Sequence, residues 1–205
     1  MYGNWESLEA AIKNCQKCKL SKTRQNIVFG EGNKNTKLMI IAEAPGYDED
    51  KIGRPFVGKA GKLLDIVLEK VGLKREDIYI SNIVKCHPPG NRNPEEEECE
   101  KCLDYLRNQV ILMKPKIIVL LGSVALKNIL GKEYSITKSR GKWIKKKDIY
   151  YLPTWHPAAL LRDPNKKIDF LHDFALAAAA LKKVIDWLLF INFEINLLYE
   201  IQHHR

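Results

Sequence analysis

Four short apolar runs alternate with segments of helical periodicity, and this order limits what the chain can fold into. Each run ends in turn residues, which is typical of a buried strand; the runs are residues 37–45, 77–86, 115–122 and 148–155. Helical patterns follow at residues 61–73, from Pro94, at 123–130 and at 170–189. Strands that alternate with helices form a parallel sheet covered on both faces. We therefore predict an α/β fold, a three-layer α/β/α sandwich around a central four-stranded parallel sheet.

Length and composition narrow the class of protein. The 205 residues, 45% of them hydrophobic, suffice for a single domain, 1–205, with its own core. The sequence shows no secretory signal and no apolar run of about 18 residues, so we expect a cytoplasmic protein without a membrane span. The net charge of +9 indicates a polyanionic partner such as nucleic acid. The apolar tail, residues 186–205, is expected to pack on the body or on a partner, and its role is unassigned.

Five cysteines stand in two groups. Cys15 and Cys18 form a C-x-x-C near the N-terminus, and Cys86, Cys99 and Cys102 surround a stiff loop rich in proline. In a cytoplasmic chain such thiols are more often metal ligands or catalytic groups than disulfides. Two pairs allow a four-thiolate site for zinc or an iron–sulfur cluster, while burial as small apolar side chains is the alternative for the second group. Spacing does not decide between Cys99 and Cys102 as the fourth ligand.

Unusual residues follow three of the predicted strands. They are EAPG after the first strand, NIVKCHPPGNRNP at the end of the second and TWHPAALLRDP after the fourth. Ligands of parallel α/β sheets bind beyond the carboxyl ends of the strands. We therefore expect these stretches to form one composite site.

These stretches resemble, in order, the iron–sulfur uracil-DNA glycosylases, the family 4 type of the uracil-DNA glycosylase superfamily. The matching pieces, within roughly residues 12–180, are AEAPGYDED, GRPFVGKAGKLL, SNIVKCHPPGNRNPEEEECEKC, IIVLLGSVAL and TWHPAALLRDP. The chain departs from the family pattern at Ala42, where glycine is usual, and at Trp155, which precedes the motif histidine. The resemblance implies a monofunctional glycosylase that removes uracil from DNA, leaves an abasic site and so begins base excision repair.

The resemblance also implies a cofactor. A [4Fe–4S] cluster is expected on Cys15, Cys18, Cys86 and Cys102, with the N-terminal part of the cluster site at about residues 12–20. Cys99 is then spare. We expect the cluster to be structural, because most of its thiolates are distant in sequence from the pocket motifs.

The implied activity asks for a pocket that receives a base flipped out of the stack. Phe56 is the candidate stacking platform, Asn82 the amide that reads the base edge, and a neutral His156 the donor that stabilises the departing uracil anion. Better-known glycosylase families carry an aspartate at the position of Ala44, where it orients water and stabilises the sugar cation. In this chain Glu43 is the first candidate for that role and Glu49 the second. The remaining expected substrate-binding positions are Ala42, Ala44 and Gly46.

Residues outside the pocket are expected to bind DNA. Leu160, Leu161 or Arg162 is the candidate wedge that fills the space left by the flipped base. Plausible phosphate contacts are Arg54, Lys59, Arg92, Lys138 and Arg140. Expected partners are uracil-containing DNA, double- or single-stranded, and replication or repair factors such as a sliding clamp, with the protein acting as a monomer.

Two other functions stay open at this point. One is a DNA-binding module without catalysis, stabilised by a metal or a cluster. The other is a glycosylase of the same fold whose specificity has shifted to another deaminated base such as hypoxanthine. Asn82 and His156 at strand ends favour an enzyme, since a binding module needs neither.

Overall fold

One sheet of six strands organises the computed structural model, which describes residues 2–203 and the side chains up to residue 186. The strands are β1 (Glu31–Gly32), β2 (Leu38–Ala42), β3 (Tyr79–Asn82), β4 (Ile117–Leu121), β5 (Ile144–Lys146) and β6 (Ile149–Thr154). Their order across the sheet is β1-β3-β2-β4-β6-β5. The four inner strands pair in parallel, and β1 and β5 pair antiparallel at the two edges. The predicted four-stranded parallel sheet is confirmed, and two edge strands extend it.

The helices cover both faces of this sheet. They are α1 (Trp5–Lys13), α2 (Tyr47–Ile52), α3 (Lys59–Lys70), α4 (Glu96–Met113), α5 (Gly122–Leu130), α6 (Ile136–Ser139), α7 (Pro157–Arg162) and α8 (Lys166–His203). Short 3-10 turns occupy Lys19–Lys22, Arg75–Asp77 and Pro89–Asn91.

Two cores lie on opposite faces of the sheet, as the alternation of side chains along β2 illustrates. Met39 and Ile41 point into a core shared with α1, α4 and α5. Leu38, Ile40 and Ala42 point into a core shared with α3, α7 and α8. All five residues of β2 are buried, as expected for a strand whose two faces are both covered. The α/β/α layering is therefore confirmed.

Most element boundaries differ from the predicted ones by a few residues, and three of these differences serve as examples. The second predicted strand, 77–86, ends as β3 at Asn82, and the next four residues form the irregular segment that leads to Cys86. The helix expected from Pro94 begins at Glu96, with Glu98 accepting from the backbone N–H of Glu95 at 2.7 Å. The last helix begins at Lys166, four residues before its predicted start. Within the tail, 186–205, the side chains after residue 186 lie outside those the structure describes.

Across the described part of the chain, no helix combines the length and the apolar character needed to cross a bilayer.

Candidate active site

A cleft of about 580 Å³ opens beyond the carboxyl ends of the parallel strands. It brings together nine of the residues predicted from the sequence, which are Glu43, Ala44, Gly46, Glu49, Phe56, Asn82, Arg92, His156 and Arg162. Ala42 is the exception among the predicted pocket residues, since its side chain is buried in the core below β2. A larger groove of about 1200 Å³ lies between α3 and α8, and none of the predicted site residues lines it.

The amide of Asn82 faces this cleft from the end of β3. Its side chain is only 2% exposed, and its Oδ1 is buried with no hydrogen-bond partner among the described residues. A buried acceptor without a partner costs about 1–3 kcal/mol, so its presence at the cleft calls for a functional explanation. Pairing with Ala42 of β2 holds the Asn82 backbone in register. The structure thus presents an unsatisfied acceptor to any molecule in the cleft.

His156 enters the cleft as the residue that caps α7. Its Nδ1 accepts a hydrogen bond from the backbone N–H of Ala158 at 3.2 Å, which leaves the ring hydrogen on Nε2. Burial and, to a lesser extent, the charge of Arg162 together lower the pKa of His156 from its ordinary 6.5 to about 4. At neutral pH the imidazole is therefore uncharged and its Nε2–H is a donor. The β-carbon of His156 lies 3.0 Å from where a Gly122 side chain would begin, so the close approach requires glycine there.

A buried ion pair fixes the strand end that carries His156. Thr154 Oγ1 donates to Asp173 Oδ2 at 2.6 Å, and Asp173 is fully buried. Arg140 also donates to Asp173, at 2.9 and 3.2 Å, and contacts Asp169. Arg140 was predicted to contact DNA phosphate. The structure instead engages this guanidinium inside the protein, so its contribution is to hold Thr154 and the residues after it.

Phe56 stacks beside His156 in a strained backbone conformation. The two ring centroids are 5.8 Å apart at 31°. Phe56 has φ 55°, in the left-handed region, which costs about 1–3 kcal/mol for a bulky residue. Arg75 stabilises this turn by donating to the carbonyls of Phe56, at 3.0 Å, and of Pro55. Gly61 packs so closely that a β-carbon there would lie 1.7 Å from the Phe56 carbonyl oxygen.

The two predicted acidic residues have different surroundings. Glu49 accepts hydrogen bonds from the backbone N–H groups of Gly46, Val57 and Gly58 at 2.9–3.0 Å. Its carboxylate therefore joins the loop after β2 to the loop before α3. Glu43 lines the cleft and is half-buried, and burial raises the pKa of its carboxyl above the ordinary 4.5. Glu43 is accordingly the better placed of the two to contact a reacting group.

Four of the five cysteines line one small cavity beside α1, and they are the predicted set Cys15, Cys18, Cys86 and Cys102. Arg24 donates to Cys86 Sγ at 3.4 Å, and the backbone N–H of Lys85 donates to Cys102 Sγ at 3.3 Å. Cys99 lies elsewhere, where burial and the charge of Glu43 raise the pKa of its thiol to about 11. In the part of the chain that the structure describes, no three His, Cys, Asp or Glu side chains are arranged to hold a metal ion.

Comparison with known proteins now places this arrangement in a family. The model of the uracil DNA glycosylase superfamily matches residues 29–183. A type-4 uracil-DNA glycosylase of Sulfurisphaera tokodaii is 45% identical over 90% of both chains, and one of Thermotoga maritima is 43% identical over 89% of this chain and 99% of its own. The chain belongs to the type-4 uracil-DNA glycosylases. A type-5 uracil-DNA glycosylase of Pyrobaculum aerophilum is more distant, at 29% identity over 63% of this chain.

The residues predicted to contact DNA differ in their exposure and in their distance from the cleft. Leu161 is 49% exposed, whereas Leu160 is fully buried in the core. The predicted wedge role is therefore wrong for Leu160 and stays a prediction for Leu161 and Arg162. Arg92 lines the cleft while it donates to Glu98 at 2.7 and 2.9 Å. Arg54 is exposed, pairs with Glu31, and is not among the residues that line the cleft.

Several residues that shape this type-4 cleft escaped sequence reasoning. Arg75, Gly61 and Asp173 contact the backbone or the neighbours of the predicted site residues. One signal was available: Asp173 interrupts an apolar helical stretch, and a lone buried carboxylate needs partners. Lys85, in the apolar run NIVKC, carried the same signal with the opposite charge.

We predict that Gly61→Ala lowers the free energy of unfolding by about 1–3 kcal/mol, because the added carbon clashes with the Phe56 carbonyl and the turn must shift. Denaturant titration measures the change. Gly3→Ala is the matched control, since a β-carbon at Gly3 meets nothing within 4 Å. Equal stability of the Gly61 and Gly3 variants would contradict the close packing described.

We also predict that the imidazole of His156 stays neutral from pH 8 down to pH 5 and titrates near pH 4. NMR chemical shifts of its ring, assigned with a His156→Asn variant, measure this. Because the folded pKa lies below the unfolded 6.5, the stability contributed by the neutral ring is complete above pH 6.5 and is lost as the pH falls through 4. Acidification should therefore destabilise the wild type more than His156→Asn. A ring titration near 6.5 would contradict the described burial.

Proposed function

We propose that this chain hydrolyses the N-glycosidic bond of uracil in DNA and leaves an abasic site. The observation that carries the proposal is the buried, unpartnered Oδ1 of Asn82 in a cleft that also holds an aromatic ring and a neutral imidazole donor. The type-4 names of its relatives, at 42–45% identity, support the same conclusion. Such an enzyme starts base excision repair of deaminated cytosine.

Two of the three side chains complement polar atoms on the edge of uracil, and the third complements the face of its ring. The Oδ1 of Asn82 accepts from the base N3–H, and the amide nitrogen of the same residue donates to O4. Phe56 offers a stacking surface, worth about 1–3 kcal/mol for one base. The Nε2–H of His156 donates to O2. The ground-state carbonyl and the departing anion both accept there, but the anion accepts more strongly, so the contact favours bond cleavage.

The bond cleavage follows from this charge distribution. The C1′–N1 bond breaks with its electron pair leaving on uracil, and His156 stabilises the resulting anion. A water oxygen then bonds to C1′, its proton departs, and the uracil anion gains a proton. Glu43, half-buried at the cleft, stabilises the sugar cation when ionised and accepts from that water. The cation is strongly electrophilic, so a weak base is sufficient.

Base recognition by Asn82 alone admits a second substrate. Hypoxanthine presents an N–H and a carbonyl in the same order as uracil, so the amide would pair with either base. Discrimination then rests on the shape of the cleft, and the hypoxanthine alternative stays a prediction. The non-catalytic alternative is weaker, because a module that only binds DNA has no use for a buried unpaired amide oxygen.

DNA is proposed to lie across the mouth of the cleft. Leu161, exposed on α7, is the better candidate for the wedge, with Arg162 and Arg92 near phosphate. Action as a monomer, a cytoplasmic location and a sliding clamp as further partner stay predictions.

A [4Fe–4S] cluster is the proposed occupant of the cysteine cavity. Four thiols line the cavity, and donors from Arg24 and the Lys85 backbone approach two of the sulfurs, which suits anionic thiolates. When bound, the cluster would join the N-terminal segment to α4 and to the loop after β3. Cys99 is not part of this set.

The proposed activity is tested by incubating the purified protein with uracil-containing oligonucleotides, followed by alkaline cleavage of abasic sites. We expect product, and we expect His156→Ala to lower turnover by about a hundredfold to a thousandfold through loss of the donor to O2. Ile66→Ala, at a side chain on α3 that is 51% exposed, is the control and should keep activity. No product from U:G, U:A or single-stranded DNA would contradict the proposal.

The cofactor is tested by removing one cysteine at a time. We expect Cys15→Ala to lose iron, sulfide and visible absorbance and to unfold more readily, whereas Cys99→Ala should retain all three. Metal analysis and absorption spectra of protein purified without oxygen measure this. Wild-type protein that carries only zinc, or loss of iron in Cys99→Ala, would refute the proposed ligand set.

A further inference from the structure

Lys85 is a buried cation. It is not one of the proposed cluster ligands, and it is not among the residues that line the cleft. Its side chain is 1% exposed, and its Nζ donates to three acceptors: Ser81 Oγ at 2.5 Å, the Asn82 carbonyl at 2.8 Å and Gln109 Oε1 at 2.8 Å. An ammonium group has three donors and no acceptor. Every hydrogen of this group therefore has a partner inside the protein.

The network stands where β3 lacks a neighbouring strand. β1 pairs only with Tyr79 and Ile80, two residues short of Asn82. On the other side, the N–H of Ile83 donates to the Ala42 carbonyl. The Asn82 carbonyl and the Ile83 N–H belong to one trans peptide and point in opposite directions. The Asn82 carbonyl therefore faces the other side of β3, where β1 no longer pairs with it. The ammonium of Lys85 occupies that side and satisfies the carbonyl.

Gln109, on α4, holds the ammonium group of Lys85 in place. Its side chain is fully buried, with Oε1 accepting from Lys85 and from Ser81 Oγ. Its Nε2 donates to the Phe29 carbonyl at 2.8 Å. These contacts leave Lys85 little freedom to move, so the carbonyl of Asn82 is held by a rigid group rather than by a mobile side chain.

The backbone of the same lysine contacts the cysteine cavity. Its N–H donates to Cys102 Sγ, and Cys86 is the next residue. Lys85 is thus the residue through which the cysteine cavity and the strand end bearing Asn82 are connected.

We propose that Lys85 is a positioning residue that sets the orientation of the Asn82 amide and thereby links base recognition to the cysteine cavity. This proposal rests on the proposed function. A lysine that only satisfied a buried network would affect stability, and its loss would lower activity equally whether or not Asn82 is present. A lysine that acts through Asn82 would lose its effect on activity once that amide is removed.

A double-mutant cycle separates these two roles. Lys85→Met, Asn82→Ala and the double variant are compared by single-turnover kinetics on a uracil oligonucleotide, with iron content and unfolding measured for each. We expect Lys85→Met to lower kcat/KM about tenfold or more in the wild-type background and by less than about twofold in the Asn82→Ala background. Lys70→Met, on the exposed end of α3, is the matched control and should change neither value.

Gln109→Met supplies a second variant if Lys85→Met does not fold, since it removes an anchor of the ammonium without touching a cysteine. The same dependence on Asn82 is expected. Equal effects of either variant in both backgrounds, or no effect in the wild-type background, would overturn the inference while the proposed function stands. A wild-type protein that releases no uracil would overturn the proposed function and the inference with it.

Discussion

Backbone pairing between β2 and β3 is the interaction on which the cleft depends. Ala42 lies opposite Asn82, and beyond the strands the N–H groups of Ile83 and Val84 donate to the carbonyls of Ala42 and Glu43. These bonds align the end of one strand with the end of the next, so that Glu43 and Asn82 face one space. The other parallel pairings bring the end of β6 to the same edge, and with it His156, the N-cap residue of α7.

Buried ionic groups hold the segments that the sheet itself cannot fix. Asp173 holds the end of β6, Lys85 holds the end of β3, and Asp50 accepts from the backbone N–H groups of Gln25 and Asn26 in the N-terminal segment. A buried charge is costly unless it is paired, so each of these groups demands a defined set of partners. These required partners hold each irregular segment in one conformation. Two of the segments, the ends of β3 and β6, carry the cleft residues Asn82 and His156.

Sequence reasoning located the parallel strands and most of the cleft, because apolar runs and strand-end motifs are local signals and parallel strands align their ends. It missed β1 and β5, which have only two and three residues and pair because their neighbours are present. The burial of Leu160 depends on which face of α7 meets the core, and an all-apolar AALL does not specify that. Arg140 finds Asp173 across 33 residues of chain, a distance at which local pattern carries no information.

The left-handed turn at Phe56 has a consequence for how a base is selected. Arg75 donates to the carbonyl of this turn and Gly61 packs against it, so the ring is oriented before any ligand arrives. Ordering that would otherwise accompany binding has already occurred during folding. The ring therefore presents the same surface to every molecule that enters the cleft, and shape complementarity is tested without rearrangement of this turn.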